Sequence, residues 1–257
     1  MNTGLDAAER IAAGLEQAWR TGIACEVPPL EGLAMEASMA YAVHQKLGPQ
    51  LGWWAQGVPR YWKTGAASIH ALQTSAPLPD AGIWASPANA AQWPMRQRGV
   101  EAEVAFRLGQ AVTAAQAQSL QPEQVHALLD AMAVSIELVD FRWQPGNAAP
   151  ALLKLADLQS HSALVLGDWQ PYQRRDWRAQ RCVAQWGQQA FDVTGTHPLQ
   201  DPTALLAPWL RHATQHFGTV PAGAVVTTGS WIGLPFAAAG DAVQVAFDGL
   251  GSAQVQL

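Results

Sequence analysis

The chain has 257 residues, a length typical of one large domain or of one domain with a smaller lobe. Hydrophobic residues make up 49% and charged residues only 14%, which supplies a sizeable core and excludes a disordered, highly charged chain. The formal net charge of −5 leaves no basic surplus to neutralise phosphates, so no nucleic-acid partner is expected.

Cysteine content and hydropathy restrict the cellular compartments expected for this protein. Cys25 and Cys182 are the two cysteines, which excludes a disulfide scaffold and a cysteine-rich zinc module. The first ten residues lack the apolar core of a signal peptide. The most apolar stretch, residues 223–247, is interrupted by glycines, a proline and an aspartate, so no transmembrane helix is predicted. We therefore expect a cytoplasmic protein without a membrane partner.

The first third of the chain predicts helices. Apolar residues at helical spacing follow Asp6, which can cap a helix, and Gly22 can end that helix. A second helix is predicted from Glu36 to Leu47. The segment that follows is rich in proline and glycine and predicts short extended pieces. We expect a helical N-terminal lobe over residues 1–85.

The rest of the chain predicts mainly strands. The predicted elements are strands over residues 100–108, 134–139 and 163–166, a helix from Pro122 that leads into the second of these strands, a helix over residues 201–218, and a hairpin over residues 243–257. Helices early in the chain and strands late indicate an α+β fold, with a β-rich catalytic region over residues 86–257.

Three glutamates form the sharpest chemical pattern. Glu101 and Glu103 lie two apart on a predicted strand, so both carboxylates point to one face. Burying both would be costly through desolvation and mutual repulsion unless a cation were bound. Glu137 has a similar apolar setting, and the three converge if their strands are neighbours. Oxygen-only ligation favours Mg²⁺ or Mn²⁺. The alternative places Glu101 and Glu103 on the solvated face of an edge strand.

Three further features carry possible chemistry. Lys63 lies among aromatic and small residues, where an ammonium could hold an anionic substrate or transfer protons, or could simply rest its stem on Trp62. The segment Thr228-Gly229-Ser230 can present backbone N–H groups to a carboxylate, or is an ordinary loop. His212 and His216 have metal-ligand spacing, but no third ligand stands near them.

Six segments carry motifs in a consistent order. They are K-x-G-x-x-S over residues 63–68, P-D-x-G over 79–82, E-x-E-x-x-F-x-L-G over 101–109, a strand with the third glutamate over 136–142, a block over 156–167, and a glycine-rich tail over 228–252. Together they resemble the fumarylacetoacetate hydrolase superfamily, and within it the 2-keto-4-pentenoate hydratase and 4-oxalocrotonate decarboxylase branch. The resemblance begins near Tyr41 and implies a mixed β-sandwich or roll with a helical N-terminal lobe.

The resemblance also implies roles for single residues. Glu101, Glu103 and Glu137 would bind Mg²⁺ or Mn²⁺, which would chelate the 1-carboxylate and 2-oxo oxygens of an α-keto acid and stabilise an enolate. The remaining roles are proton transfer or carboxylate binding by Lys63, lining of the reacting end by Asp80 and Ser160, and substrate binding by Ser230, Gly229 and Ser68. The branch usually carries A-D-N-x-S-S-G-G where this chain has A-D-L-Q-S-H-S-A. His161 in that run is a candidate pocket group or a structural residue.

The function implied is a hydratase of aromatic meta-cleavage catabolism. It would add water to a 2-hydroxypenta-2,4-dienoate-type substrate and form a 4-hydroxy-2-oxo acid. The alternatives are decarboxylation of a vinylogous β-keto acid such as 2-oxohex-3-enedioate, carbon–carbon hydrolysis of an acylpyruvate, and a non-catalytic partner subunit. The family forms dimers and larger rings, and twelve tryptophans exceed what the core obviously needs, so we expect a homo-oligomer.

Overall fold

A computed structural model describes residues 3–29, 36–54 and 57–257, with residues 3–6 in backbone only. The α-helices in these ranges are α1 (Thr3–Thr21), α2 (Ala37–Leu51), α3 (Ala114–Ser119), α4 (Ala151–Ala156) and α5 (Leu206–Phe217). The strands are β1 (Tyr61–Gly65), β2 (Thr74–Leu78), β3 (Ile83–Ala85), β4 (Ala88–Asn89), β5 (Gly99–Leu108), β6 (Leu129–Val139), β7 (His161–Leu166), β8 (Gln170–Pro171), β9 (Arg181–Trp186), β10 (Gln189–Thr194), β11 (Val225–Thr227), β12 (Ala242–Phe247) and β13 (Gly251–Gln256).

Helix α2 packs against α1 and against α4. Their apolar positions, among them Leu15 and Leu47, form one buried cluster. Helix α1 ends before Gly22, as predicted, because Gly22 takes the left-handed conformation at φ +69°. It begins at Thr3, so the predicted cap at Asp6 is wrong: that residue lies within the helix. Helix α2 follows Glu36 as predicted but continues past Leu47 to Leu51.

A large sheet forms the centre of the molecule. Its strand order is β2-β1-β11-β5-β6-β7-β3, and β8 pairs with β6 near the N-terminal end of that strand. Strands β5 and β6 are long antiparallel neighbours, which places Glu101 opposite Glu137 and Glu103 opposite Ser135. The neighbouring strands that the three-carboxylate hypothesis requires are therefore present.

A second sheet closes the core from the other side. Its order is β10-β9-β12-β13-β4, and the predicted C-terminal hairpin is confirmed as β12 and β13. Strand β13 packs on β6, and the two sheets bury residues such as Val104, Trp231 and Phe247 between them. The β9–β10 hairpin was not predicted, although Cys182 and Trp186 belong to an alternating buried pattern. The α+β fold is confirmed.

The helix predicted from Pro122 is corrected by the structure, and the predicted lobe boundary stays open. The helix predicted from Pro122 is a short 3-10 helix that ends at Leu128, and Leu129 and Met132 belong to β6, because pairing with β5 outweighs their helical spacing. The predicted boundary near residue 85 remains a prediction. Strands β1 to β3 lie before this boundary and already belong to the large sheet.

In the part of the chain that is described, no helix has both the length and the apolarity needed to cross a membrane.

Candidate metal centre and active site

Three carboxylates converge at the centre of the large sheet. Each of Glu101, Glu103 and Glu137 offers an oxygen, and these oxygens lie within 4.8 Å of one another. Glu103 is 1% exposed and Glu137 is 0% exposed, while Glu101 is half-buried. The alternative of a solvated edge strand is therefore wrong, because β5 lies between β11 and β6 and its glutamates face the interior.

The carboxylates are costly to ionise together. The pKa of Glu101 is raised to about 7, because burial outweighs the opposing charge of Lys63 and the charge of Glu137 adds to the shift. Burial, followed by the charges of Glu137 and Glu101, raises the pKa of Glu103 well above its ordinary value. Burial also acts to raise the pKa of Glu137, but Lys63 and His161 outweigh it, and the pKa lies below the ordinary value. A divalent cation would relieve this repulsion.

The oxygens of Glu137 show how a cation would fit. Its Oε1 accepts hydrogen bonds from Lys63 Nζ at 2.5 Å and from His161 Nδ1 at 3.1 Å. Its Oε2 is buried and has no hydrogen-bond partner among the described residues. An unpartnered buried carboxylate oxygen is costly unless something binds it. An all-oxygen set with one orphaned atom suits Mg²⁺ or Mn²⁺.

Lys63 reaches the carboxylates from β1. Its side chain is buried, and its Nζ lies 3.9 Å from Glu101 Oε2 and 3.3 Å from the carbonyl oxygen of Gln159. The alternative of a surface lysine resting on Trp62 is wrong. Burial lowers the pKa of Lys63, but Glu137 and the other two glutamates raise it more, so the pKa lies above the ordinary value. Lys63 is therefore a buried ammonium held among carboxylates.

Two hydroxyl groups orient Glu103, and both were missed from the sequence. Thr227 Oγ1 on β11 donates a hydrogen bond to Glu103 Oε2. Ser135 Oγ on β6 lies 2.9 Å from the same hydroxyl and can donate to it. Both residues are 0% exposed. The available signal was a polar residue in a buried apolar strand, at the end of β11 for Thr227 and in the middle of β6 for Ser135.

The segment that departs from the family motif has unusual backbone geometry. Leu158, Gln159 and Ser160 have φ values of 50°, 54° and 62°, a left-handed run without glycine. Each such residue costs about 1–3 kcal/mol, and strain of this kind clusters at functional sites. Gln159 Nε2 donates to Thr74 Oγ1 at 2.7 Å, and the Gln159 carbonyl accepts from Lys63. The run therefore borders the carboxylate cluster.

A cavity of about 350 Å³ lies beside the cluster. Glu101, Gln159 and Ser160 line it, and most of the remaining wall is apolar, including Phe141 and Leu234. Ser160 Oγ is buried and has no hydrogen-bond partner among the described residues. The structure thus places Ser160 in the same cavity as Glu101.

Four predicted residues neither line this cavity nor make a described hydrogen bond to the cluster, and their roles stay predictions. Asp80 is exposed; partial burial raises its pKa although Arg60 opposes the shift. Ser68 is exposed, and its Oγ accepts from the His70 N–H. The other two lie in one turn: Ser230 Oγ donates to the carbonyl of Gly233 at 2.6 Å, and Gly229 has φ +94°.

The histidine pair on α5 is not joined to a third ligand. In the described residues, the group of carboxylate, histidine or cysteine side chains close enough to hold a metal consists of Glu101, Glu103 and Glu137. His212 instead contacts Tyr41 of α2, with 4.2 Å between the ring centroids and 51° between the ring planes.

Comparisons with known proteins agree with this geometry. The family model of the fumarylacetoacetate (FAA) hydrolase C-terminal region matches residues 41–257. No curated protein is significantly similar in sequence. The structure of 4-oxalocrotonate decarboxylase from Pseudomonas putida G7 with calcium and acetate is 18% identical, with a TM-score of 0.81 over 98% of this chain and 97% of that one.

Two more solved structures contain the expected cations. The same decarboxylase with magnesium and adipate has a TM-score of 0.80 at 18% identity, with 98% of this chain and 97% of that chain covered. Fumarylpyruvate hydrolase from Pseudomonas aeruginosa with Mn²⁺ and pyruvate has a TM-score of 0.54 at 17% identity, with 77% of this chain and 89% of that chain covered. At these identities the likeness establishes the fold.

Proposed function

Because this chain belongs to the fumarylacetoacetate hydrolase family, we propose that it is a metal-dependent lyase acting on a 2-hydroxy-2,4-dienoate and its 2-oxo tautomer. The reaction we propose is hydration to a 4-hydroxy-2-oxo acid. The observation that carries the proposal is the buried cluster of Glu101, Glu103 and Glu137, with Lys63 bound to one of them and a cavity alongside.

The proposed cofactor is Mg²⁺ or Mn²⁺, held by the three carboxylates. It would supply Lewis-acid polarisation of the 2-oxo acid end of the substrate. The magnesium and Mn²⁺ complexes of the two similar proteins support this choice. The unpartnered Glu137 Oε2 supports it from this chain's own residues.

Lys63 is the proposed proton carrier. In the first step the 2-hydroxyl loses its proton and C5 gains one, which gives the 2-oxo-3-ene. In the second step water adds its hydroxyl to C4 and its proton to C3. The Lys63 ammonium is fixed by Glu137 and the Gln159 carbonyl and can exchange a proton through Nζ. The unpartnered Ser160 hydroxyl in the cavity can hydrogen-bond the reacting groups.

Decarboxylation is the second candidate reaction. It is favoured by the likeness in fold to 4-oxalocrotonate decarboxylase over nearly the whole chain. The same carboxylates and the same lysine would serve it, since both reactions need an electron-accepting 2-oxo acid end. A non-catalytic role is disfavoured because all three carboxylates and Lys63 are in place.

The proposal is tested with a panel of three substrates. Purified protein is treated with a chelator, reloaded with Mg²⁺ or Mn²⁺, and given 2-hydroxypenta-2,4-dienoate, 2-oxohex-3-enedioate or an acylpyruvate. We expect mass spectrometry to show addition of water to the dienoate only in the reloaded protein. Release of CO₂ from the enedioate without hydration would favour the second candidate. Full activity in excess chelator would overturn the metal-dependent mechanism.

Lys63→Met tests the proton carrier. We expect turnover to fall by about 100-fold or more, in the range of general acid–base groups, because methionine keeps the length of the stem but removes Nζ. Calorimetry should show that Mg²⁺ still binds, with an affinity reduced by at most about 100-fold through the loss of the Lys63 contact to Glu137. A small rise in KM with unchanged turnover would make Lys63 a substrate-binding residue only.

A further inference from the structure

The cavity beside the carboxylates is lined by a cationic group that the proposed reaction does not use. Lys154, at the C-terminal turn of α4, lines the same cavity as Glu101 and Ser160. The chain has only three lysines, and each has a different setting. Lys46 pairs with Glu9 at 3.2 Å and Lys63 pairs with Glu137. Lys154 has no carboxylate within ion-pair distance in the described residues.

The ammonium of Lys154 is held in place by a neighbouring residue. Its Nζ donates to the carbonyl oxygen of Asn147 at 2.8 Å and to Asn147 Oδ1 at 3.1 Å. Both partners are neutral oxygens, so the positive charge is not neutralised. An ammonium has three N–H donors, which leaves one to offer to a ligand. The side chain is half-buried, so a carboxylate paired there would be screened less than on an open surface.

Most of the other residues that line the cavity are apolar. Phe141, Leu152 and Leu155 line it, together with Leu72 and Leu234. The only acidic residue of the lining is Glu101, which belongs to the metal cluster. A ligand that matches this distribution has a metal-binding 2-oxo acid at one end, a hydrocarbon middle and a second anionic group at the other end.

We infer that Lys154 binds a second carboxylate, so that the preferred substrate is a dicarboxylic 2-oxo acid or 2-hydroxydienoate, and 2-hydroxypenta-2,4-dienoate, which lacks that carboxylate, is the weaker substrate for the proposed hydration. This inference rests on the proposed function, because it assumes that the metal cluster holds the 2-oxo acid end. It adds the class of substrate to the proposed function. The family resemblance left that class open, because the segment around Gln159 and Ser160 departs from the usual motif. A charge-assisted hydrogen bond to Lys154 discriminates against a substrate that ends in a methyl group.

The experiment compares diacids with monoacids of equal chain length. Dissociation constants of 2-oxoadipate and 2-oxohexanoate are measured by calorimetry on the Mg²⁺-loaded protein, and the five- and seven-carbon pairs are measured in the same way. We expect at least one diacid to bind about 10-fold or more tightly than its monoacid. Lys154→Met should remove that preference and leave the monoacid constant unchanged, which also shows that the variant is folded. Lys154→Arg should keep part of the preference, and Lys46→Met, the matched control, should keep all of it.

The outcomes separate this inference from the proposed function. Equal binding of diacids and monoacids by the wild type, or a preference that survives in Lys154→Met, overturns the role of Lys154 alone. If neither class binds, or if both bind equally well in excess chelator, the metal-dependent 2-oxo acid site fails and the inference fails with it.

Discussion

Glu137 is the residue on which the candidate site depends most. One of its oxygens accepts from Lys63 and His161, and the other is left for a cation. Removing either donor would leave a buried carboxylate less well held, so the two donors fix the orientation of the ligand. Such residues next to a metal ligand are worth about 10- to 100-fold in metal affinity.

Glu103→Gln should weaken Mn²⁺ binding strongly, because the substitution removes one of three charges from the cluster. Calorimetric titration of the metal-free protein measures the effect. Glu123→Gln is the control, since Glu123 is exposed and a surface change usually alters stability by less than about 0.5 kcal/mol. Equal Mn²⁺ affinities for the wild type and Glu103→Gln would refute the ligand role.

His161→Phe should weaken Mn²⁺ binding by about 10-fold or more, because it removes the Nδ1 donor to Glu137. His161→Asn should restore most of the affinity, since the asparagine amide nitrogen can take the place of Nδ1. The electron paramagnetic resonance signal of free Mn²⁺ measures both variants. If the two variants are equally weak, His161 acts through packing alone.

At the scale of elements, α2 and α5 meet through a cluster of aromatic and histidine side chains. His44 Nε2 hydrogen-bonds the carbonyl of Leu155, while its Nδ1 is buried without a partner among the described residues. The pKa of His44 is lowered to about 4, because burial outweighs the opposing hydrogen bond to Leu155 and the nearby His216 adds to the lowering. Burial also lowers the pKa of His212 to about 3. The helix pair is therefore built around neutral imidazoles.

This arrangement predicts that the protein loses stability in acid. The folded-state pKa of His44 lies below the ordinary 6.5, so the unfolded chain binds more protons, and the unfolding free energy falls as pH drops from about 6.5 towards 4. His44→Gln keeps a donor to Leu155 and removes the titration. Between pH 7 and pH 5 it should lose about 2 kcal/mol less than the wild type in urea unfolding. His70→Gln is the control: His70 is exposed, so this variant should lose as much stability as the wild type. If His44→Gln also lost as much as the wild type, His44 would not be a buried neutral imidazole.

At the scale of the whole molecule, the tryptophans serve the chain's own core. Eight of the twelve are buried, namely Trp53, Trp54, Trp62, Trp143, Trp177, Trp186, Trp209 and Trp231. The other four are half-buried. Their number is therefore no argument for an interface. Among the residues that the structure describes, the large apolar side chains that are exposed are Ile23, Ile69, Leu72 and Phe236, with exposed fractions of 72%, 68%, 67% and 40%.

We still predict a homo-oligomer, at least a dimer, with an interface above about 1,000 Å² in total. The physical reason is now the set of exposed apolar side chains, because burying them against a second copy removes apolar surface from water. Light scattering at low micromolar concentration measures the mass in solution. A species of 27.5 kDa that remains active on dilution would contradict the prediction.

Much of the molecule could be predicted from the sequence because the relevant signals are local. Alternating apolar residues define β5 and the C-terminal hairpin, and Gly22 ends α1 in the left-handed conformation that glycine adopts most easily. The two-residue spacing of Glu101 and Glu103 puts both on one face whatever surrounds the strand. The carboxylate cluster followed from that spacing together with the motif order.

Only the tertiary structure decided which groups meet those carboxylates. Lys63, Thr227 and His161 come from β1, β11 and β7, which join the large sheet in an order unrelated to their order in the chain. No local pattern encodes strand order, because pairing depends on the packing of the whole core. Lys154 is a further case: the sequence shows a rare lysine, and only the fold places it in the cavity that Glu101 lines.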